Sequence, residues 1–174
     1  LNPYFQKFAD RAVKDGLESY DRRHGWRGPL MRIDSAGLDH WRTAIAAIKP
    51  PPGLGDWRLA TVLKLDDRKA EIGFSDGETG AIPLGELKWA RAWVKGEKLG
   101  PRVTRPRDVL TVGDVLAVEA VAVDRDGTDY PAASYGLRQI PAIEGALVLA
   151  RATDNQEVFA RIIETLPGRL LGRP

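Results

Sequence analysis

The stretch WRLATVLKL, residues 57–65, is the clearest indication of the fold, because large apolar residues stand at every second position except Thr61. A period of two is typical of a β-strand with one face in a core. We expect the following side chains to point inward: Trp57, Leu59, Thr61, Leu63 and Leu65. A turn at residues 66–68 leads into KAEIGF, residues 69–74, so the two stretches together predict a hairpin.

Three further strands follow this hairpin in the sequence. TGAIP, residues 79–83, ends at a proline, which cannot donate a hydrogen bond to a sheet. GDVLAVEAVAV, residues 113–123, is the longest apolar strand candidate, and a last strand is predicted within residues 133–140. A helical turn within residues 84–94 separates the third strand from the fourth. This order is typical of an OB fold, so we predict a mainly β protein with flanking helices and a five-stranded OB-fold barrel over residues 57–142.

Helices and loops are predicted on both sides of the barrel. Residues 1–33 contain an N-terminal linker helix followed by a basic connection, and residues 34–56 contain a short helix at 35–48 and a proline-rich connection. Residues 143–174 end in a C-terminal helix, because apolar residues between 158 and 166 fall on one helical face. The sequence therefore divides into four segments, of which the barrel is the third.

The composition bounds the class of protein. The chain has 174 residues, of which 43% are hydrophobic and 29% charged, as in a soluble globular protein. The net charge of +2 does not require a nucleic-acid partner, and the lack of cysteine excludes disulfides and thiol chemistry. No apolar stretch approaches the roughly 20 residues needed to cross a bilayer. We expect neither a membrane span nor an export signal within these residues.

Residues that could carry catalysis or hold a metal are few and poorly spaced. The two histidines, His24 and His40, lack the short spacing of a metal pair. No serine is followed three residues later by the lysine of a Ser-x-x-Lys nucleophile, and no glycine-rich stretch matches a phosphate loop. We therefore predict no catalytic residue, no metal ligand and no cofactor for this chain, and we predict that it is not itself an enzyme.

Two clusters of arginine are candidate docking sites for a partner. One lies within residues 22–32 and the other in a proline-bracketed loop at residues 102–107. Solvated loops are the alternative for both, since charge runs often only solvate a surface. Trp26 and Trp93 are the tryptophans that we expect to be exposed, and the others are expected in the core. The predicted docking residues are Arg22, Arg23, Arg27, Trp93, Arg102, Arg105 and Arg107.

Four ordered motifs resemble a known family. They are YDRRHGWRGP at 20–29, IGFSDGETGAIPLGELKWAR at 72–91, DVLTVGDVLAVE at 108–119 and YGLRQIPAIEGALV at 135–148. Together they are similar to class A penicillin-binding proteins of the 1A type, the bifunctional peptidoglycan synthases of Gram-negative bacteria. The resemblance implies that this stretch is the OB-like insertion between the glycosyltransferase and transpeptidase domains, and that residues 143–148 begin the transpeptidase.

The resemblance implies a non-catalytic interaction or spacing module of a periplasmic synthase anchored in the inner membrane. Its implied partners are the neighbouring glycosyltransferase and transpeptidase domains and, as in some relatives, a lipoprotein activator. The Ser-x-x-Lys, Ser-x-Asn and Lys-Thr-Gly motifs of the transpeptidase are absent, so no catalytic residue is carried over and no covalent reaction with penicillin is expected. Residues 149–174 depart from the family pattern.

An RNA-binding OB module of the ribosomal-protein type is the alternative. The pattern DG-x-x-G-x-I-P-x-x-E-L at 76–87, followed by V-G-D at 112–114, also resembles the OB repeats of a large ribosomal protein. An RNA-binding face needs basic and aromatic residues on adjacent strands. Phe74 is instead surrounded in the sequence by acidic residues, namely Glu71, Asp76, Glu78 and Glu86. We therefore expect only weak, nonspecific binding of nucleic acid.

Overall fold

The computed structural model describes the central part of the chain. The described residues are 22–23, 25–51, 53–94, 98–124 and 126–140. For Trp93 and Lys98 only the backbone is described. Three predicted elements lie outside these residues: the linker helix at 3–20, the strand at 143–148 and the C-terminal helix.

The chain divides into two compact units. The larger comprises Ser19–Pro50 and Asp56–Gln139, and the smaller comprises Leu1–Glu18, Pro51–Gly55 and Ile140–Pro174. In the described part of the smaller unit, the Leu54 amide donates to the Pro51 carbonyl at 3.3 Å.

The larger unit is built on an antiparallel sheet. Within its described residues the strands are β1 (Met31–Arg32), β2 (Arg58–Leu65), β3 (Lys69–Gly73), β4 (Thr79–Pro83), β5 (Trp93–Val94), β6 (Lys98–Leu99), β7 (Asp114–Ala120) and β8 (Tyr135–Arg138). Six of them form one sheet in the order β1-β7-β2-β3-β4, with β8 also paired to β7. Strands β5 and β6 form a separate ribbon.

The mainly β prediction is confirmed, whereas the five-stranded barrel is not what the sheet shows. The sheet has six strands in the described region and is not closed. Between β4 and the segment before β8 there is a single parallel bridge, Ala81 to Ser134. Strand β4 ends at Pro83, which has no N–H to extend the pairing. The additional strand β1 spans two residues, too short for its sequence to show a period.

The side chains of β2 that precede its β-bulge have the opposite orientation to the one predicted. Val62 pairs with Ile72 but Lys64 pairs with Glu71, so Leu63 has no partner in β3. Ala60 and Val62 are fully buried in the core. The prediction that Leu59, Thr61 and Leu63 face this core is therefore wrong. Beyond the bulge, the extra residue at Leu63 exchanges the two faces of the strand, so Leu65 packs against the core as predicted.

The predicted helix at 35–48 is two short helices, α1 (Ser35–Leu38) and α2 (Trp41–Ala46). The Asp34 carboxylate caps α1 by accepting from the Gly37 amide at 2.8 Å. His40 leaves the helical region with φ of −125° and ψ of 33°. The break allows the Trp41 ring to cover Gly73, where an added Cβ would lie 2.6 Å from the ring.

The predicted helical turn after β4 is present as α3 (Leu84–Leu87), and a short 3-10 helix covers Pro106–Asp108. The core lies on the opposite side of the sheet from Trp41 and is contributed by β2, β3, β4, α3, β7 and β8. Its largest fully buried side chains include Phe74, Ile72, Ile82, Leu87, Leu116 and Leu137.

Candidate functional site

Trp26 belongs to the core and not to the surface, so the prediction that it is exposed is wrong. Its side chain is 7% exposed, and its ring stands at 88° to that of Trp89 with 5.9 Å between centroids. The Trp26 amide donates to the Arg91 carbonyl at 2.7 Å, which fixes the backbone beside Ala92. The flanking arginines suggested exposure, but this long-range pairing turns the ring inward.

The first arginine cluster is partly structural. The Arg22 guanidinium carbon lies 5.2 Å from the centre of the Trp89 ring, at a distance suited to a cation–π contact. Arg32 donates from Nε to the Asp114 carboxylate at 2.7 Å, and that carboxylate is 1% exposed. The side chains of Arg23 and Arg27 are exposed. Arg23 and Arg27 are therefore the exposed members among the predicted docking residues of this cluster.

Gln139 connects the two ends of the larger unit by hydrogen bonds, which we call the clasp. This residue was not identified from the sequence. Its Oε1 accepts from the Arg27 amide at 2.9 Å, and its Nε2 donates to the Gly25 carbonyl at 3.4 Å. The glutamine is buried, at 6% exposure. No local pattern marks such a residue, because the partners are 112 and 114 residues away in the chain. The clasp holds the start and the end of the unit together.

The second arginine cluster lies in an ordered loop. Val103 and Pro106 are buried, while Arg102, Arg105 and Arg107 are exposed. Arg107 donates to the Asp67 carboxylate at 3.2 Å, and both side chains remain largely in water. The buried positions thus anchor the loop and direct its arginines outward.

Asp108 organises this arginine loop. One of its carboxylate oxygens accepts from the Thr104 amide at 2.8 Å, from the Thr104 hydroxyl at 2.8 Å and from the Arg105 amide at 2.9 Å. The hydrogen bond from the Thr104 amide is the largest cause of the lowered pKa of Asp108, followed by the bond from the Thr104 hydroxyl. These bonds stabilise the ionised carboxylate.

Replacing Asp108 with alanine should therefore loosen the arginine loop. We expect faster hydrogen exchange at the Thr104 and Arg105 amides, whose acceptor is lost. In the unaltered chain the same bonds should weaken with acid. Because the pKa of Asp108 is lowered from 3.8 on folding, their contribution is full above that pH and is lost as the pH falls through the lower, folded value.

Asp67→Ala provides the matched control, since Asp67 contacts the same loop through the exposed Arg107 side chain alone. Its effect on amide protection at Thr104 should be small. Equal protection of the Thr104 amide in Asp108→Ala and in the unaltered chain would contradict the role given to Asp108.

The structure brings the two arginine clusters to neighbouring segments. Trp26 bridges Ala92, and the Gly100 amide donates to the Ala92 carbonyl at 2.8 Å. Trp93 follows Ala92, and its backbone pairs with Leu99 in the ribbon. The segments that carry Arg27 and Arg102 thus lie on either side of one strand.

A groove lies on the face of β3 and β4 and was not predicted. It has a volume of about 840 Å³. The turn at residues 66–68 forms one side, and the segment at residues 130–134 forms the other. Side chains that line it include Lys69, Glu71, Thr79, Ala81, Tyr130 and Ser134.

No metal chemistry is indicated in the part of the chain that the structure describes. There, no three side chains of histidine, aspartate or glutamate come together in a way that could hold a metal ion. None of the helices among these residues has both the length and the apolar character that a membrane span requires.

Comparisons with known proteins agree with the motifs. The family model for the penicillin-binding protein OB-like domain matches residues 26–143. Penicillin-binding protein 1A of Rickettsia typhi is 38% identical over 156 residues, which cover 90% of this chain and 17% of that relative. Penicillin-binding protein 1A of Pseudomonas aeruginosa is 32% identical over 143 residues, which cover 82% of this chain and 16% of the relative.

A crystal structure of penicillin-binding protein 1A from Haemophilus influenzae has a similar fold. The TM-score is 0.50 at 21% sequence identity, and the match covers 77% of this chain and 17% of that one. The chain therefore spans only about a sixth of the length of these relatives.

Proposed function

Because the chain belongs to the penicillin-binding protein OB-like domain family, we propose that it is a non-catalytic module of a periplasmic peptidoglycan synthase anchored in the inner membrane. In this proposal the module lies between a glycosyltransferase and a transpeptidase domain, sets their spacing and offers a docking surface to a regulatory partner such as a lipoprotein activator.

The clasp at Gln139 is the single observation that carries this proposal. When one domain is inserted into another, the chain must enter and leave the inserted domain at nearby points, because widely separated ends would disrupt the fold of the host domain. Gln139 bonds to Gly25 and to Arg27, so the last residue of the larger unit lies beside residues near its start. The core of that unit is contributed by its own strands, which suits a module that keeps its shape inside a longer protein.

Excising the module from the full-length protein tests whether the module is an insertion without which the rest of the protein still folds. Residues 26–138 would be removed, and Gly25 joined to Gln139 by a short glycine linker. We expect covalent labelling by a fluorescent penicillin to persist, because the ends that the linker must join are already close together. Removing residues 26–83 alone is the control, because it leaves β7 without its partner β2. This control should misfold and lose its labelling.

Two outcomes would contradict the proposal. A full-length protein that reacts with no penicillin is not a synthase of this kind. Loss of labelling after the complete excision would mean that the module is part of the fold of its host and not an insertion.

The exposed arginines support the docking part of the proposal. Arg102, Arg105 and Arg107 present positive charge from a loop that Val103 and Pro106 anchor, which suits an acidic partner surface. In the full-length protein with a photoreactive residue at position 102, replacing Arg105 and Arg107 with glutamate should leave penicillin labelling unchanged and abolish the photo-cross-links that position 102 forms to other envelope proteins. Cross-links that persist after this charge reversal would contradict docking at this loop.

The RNA-binding alternative is not favoured by the environment of Phe74. Its side chain is 1% exposed, and the Arg58 guanidinium carbon lies 3.9 Å from the ring centre. Arg58 also pairs with Asp76 and Glu78. A buried ring covered by a paired arginine offers no platform for a base.

A further inference from the structure

The groove on β3 and β4 is shaped by small residues on one side and a fixed segment on the other. Glu71 pairs with Ala81 and Lys69 with Pro83, so these residues lie side by side on the two strands. The Ala81 amide donates to the Ala133 carbonyl at 3.0 Å, which holds residues 130–134 against β4. Its volume of about 840 Å³ is in the range of ligand sites, roughly 300–1,000 Å³.

An aromatic ring is held at the wall of this groove. The Tyr130 hydroxyl lies 3.4 Å from the Glu86 carboxylate, to which it donates. Gly85 leaves room for that hydroxyl, since a Cβ there would lie 2.6 Å from it. An aromatic side chain with its polar end engaged offers an apolar body to a ligand.

The polar groups of the groove are paired and nearly balanced in charge. Lys69 Nζ lies 3.4 Å from the Glu71 carboxylate. Asp66 accepts from the amides of Arg68 and Lys69 at 2.7 and 2.8 Å, so its carboxylate has a fixed position. Three carboxylates, on Asp66, Asp67 and Glu71, face two cations, on Arg68 and Lys69. This excess of carboxylate disfavours a polyanion such as a nucleic acid.

The remaining chemistry suits a neutral ligand rich in hydroxyl and amide groups. Carboxylates and ammonium groups bind hydroxyls and amides by charge-assisted hydrogen bonds, and an aromatic ring packs against the apolar face of a sugar. We infer that this groove binds a stretch of glycan chain built from N-acetylated hexosamines. The choice of sugar rests on the proposed function, whereas the groove and its lining do not.

Titration of the whole chain with chitotetraose, a tetramer of N-acetylglucosamine, tests this inference. In ¹⁵N-labelled protein we expect saturable shifts at the amides of Glu71, Thr79 and Ala81, and no comparable shifts at the arginine loop. Replacing Lys69 and Glu71 with alanine together should weaken binding about tenfold, because charge-assisted hydrogen bonds are lost. The control Asp39→Ala, Lys88→Ala removes one exposed residue of each charge outside the groove and should bind as before.

A second variant protects the test against misfolding. Thr79 is exposed at the groove, so Thr79→Trp should fill the space without disturbing the core, and should also weaken binding. The inference is overturned if chitotetraose moves none of the groove amides, or if single-stranded oligothymidylate moves them and chitotetraose does not. Penicillin labelling of the full-length protein reports on the proposed function separately. A failed titration with intact labelling therefore rejects the glycan site alone.

Discussion

Replacing Phe74 with alanine should lower the free energy of unfolding by about 3–5 kcal/mol, the usual range for a large aromatic side chain removed from a core. The ring is 1% exposed and lies 4.8 Å from that of Tyr135. It also lies beneath the Arg58 guanidinium, which bonds to Asp76 and Glu78 across the turn between β3 and β4. The cavity would thus remove support from the core and from that turn together.

Urea denaturation of the chain measures this effect, with Val123→Ala as the control. Val123 is 47% exposed, so its replacement should change stability by less than about 0.5 kcal/mol. Phe74→Leu should lower the free energy of unfolding by about 1 kcal/mol, since leucine fills most of the volume but makes no ring contacts. A loss below about 1 kcal/mol in Phe74→Ala would contradict the placement of this ring at the centre of the core.

Replacing Arg32 with alanine should lower the free energy of unfolding by about 3 kcal/mol. The substitution leaves a carboxylate that folding has removed from water without its cationic partner. Asp114 is 1% exposed, and its partners are Arg32 Nε at 2.7 Å and the Thr111 amide at 2.8 Å. The value lies at the low end of the range for buried pairs because Arg32 itself is 56% exposed. Strand β1 should be the first element to detach, since Arg32 is half of it.

The double variant Arg32→Ala, Asp114→Asn separates the stranded charge from the lost contact. It should be more stable than Arg32→Ala alone, because asparagine can still accept from the Thr111 amide and carries no charge. Arg102→Ala is the control, as Arg102 is an exposed arginine of the other cluster and should melt like the unaltered chain. If Arg32→Ala and Arg102→Ala have equal melting temperatures, the structural role of Arg32 is wrong.

The different stability changes expected for Arg32→Ala and Arg102→Ala illustrate how far the role of an arginine in a charge cluster can be interpreted from sequence. Both are arginines in basic stretches, and the composition around them does not distinguish one from the other. Arg32 is bound to an aspartate 82 residues away in the chain, whereas Arg102 is exposed in its loop. Charge patterning identifies where arginines concentrate, but the acid that pairs with each one is found only when distant segments meet.

The prediction of the main strands was accurate because their signals are local. Alternation over 57–65 predicts β2 (Arg58–Leu65) to within one residue, and the proline that ends TGAIP predicts β4 (Thr79–Pro83). Their side-chain orientation was less predictable. The bulge at Leu63 arises from the fit between β2 and β3, and a one-residue shift exchanges the two faces of a strand.

The mainly β class, the boundaries of the longer strands and, through four ordered motifs, the family were all predictable from the sequence. These are properties of short stretches, where period, turn residues and motif spacing act on neighbouring positions. Four features became visible only in the folded chain: the sheet is open, Trp26 is buried, Gln139 bonds to Gly25 and Arg27, and a groove lies on β3 and β4. Each depends on contacts between residues far apart in the chain, and the free energy of such contacts comes from burial and pairing that no single segment contains.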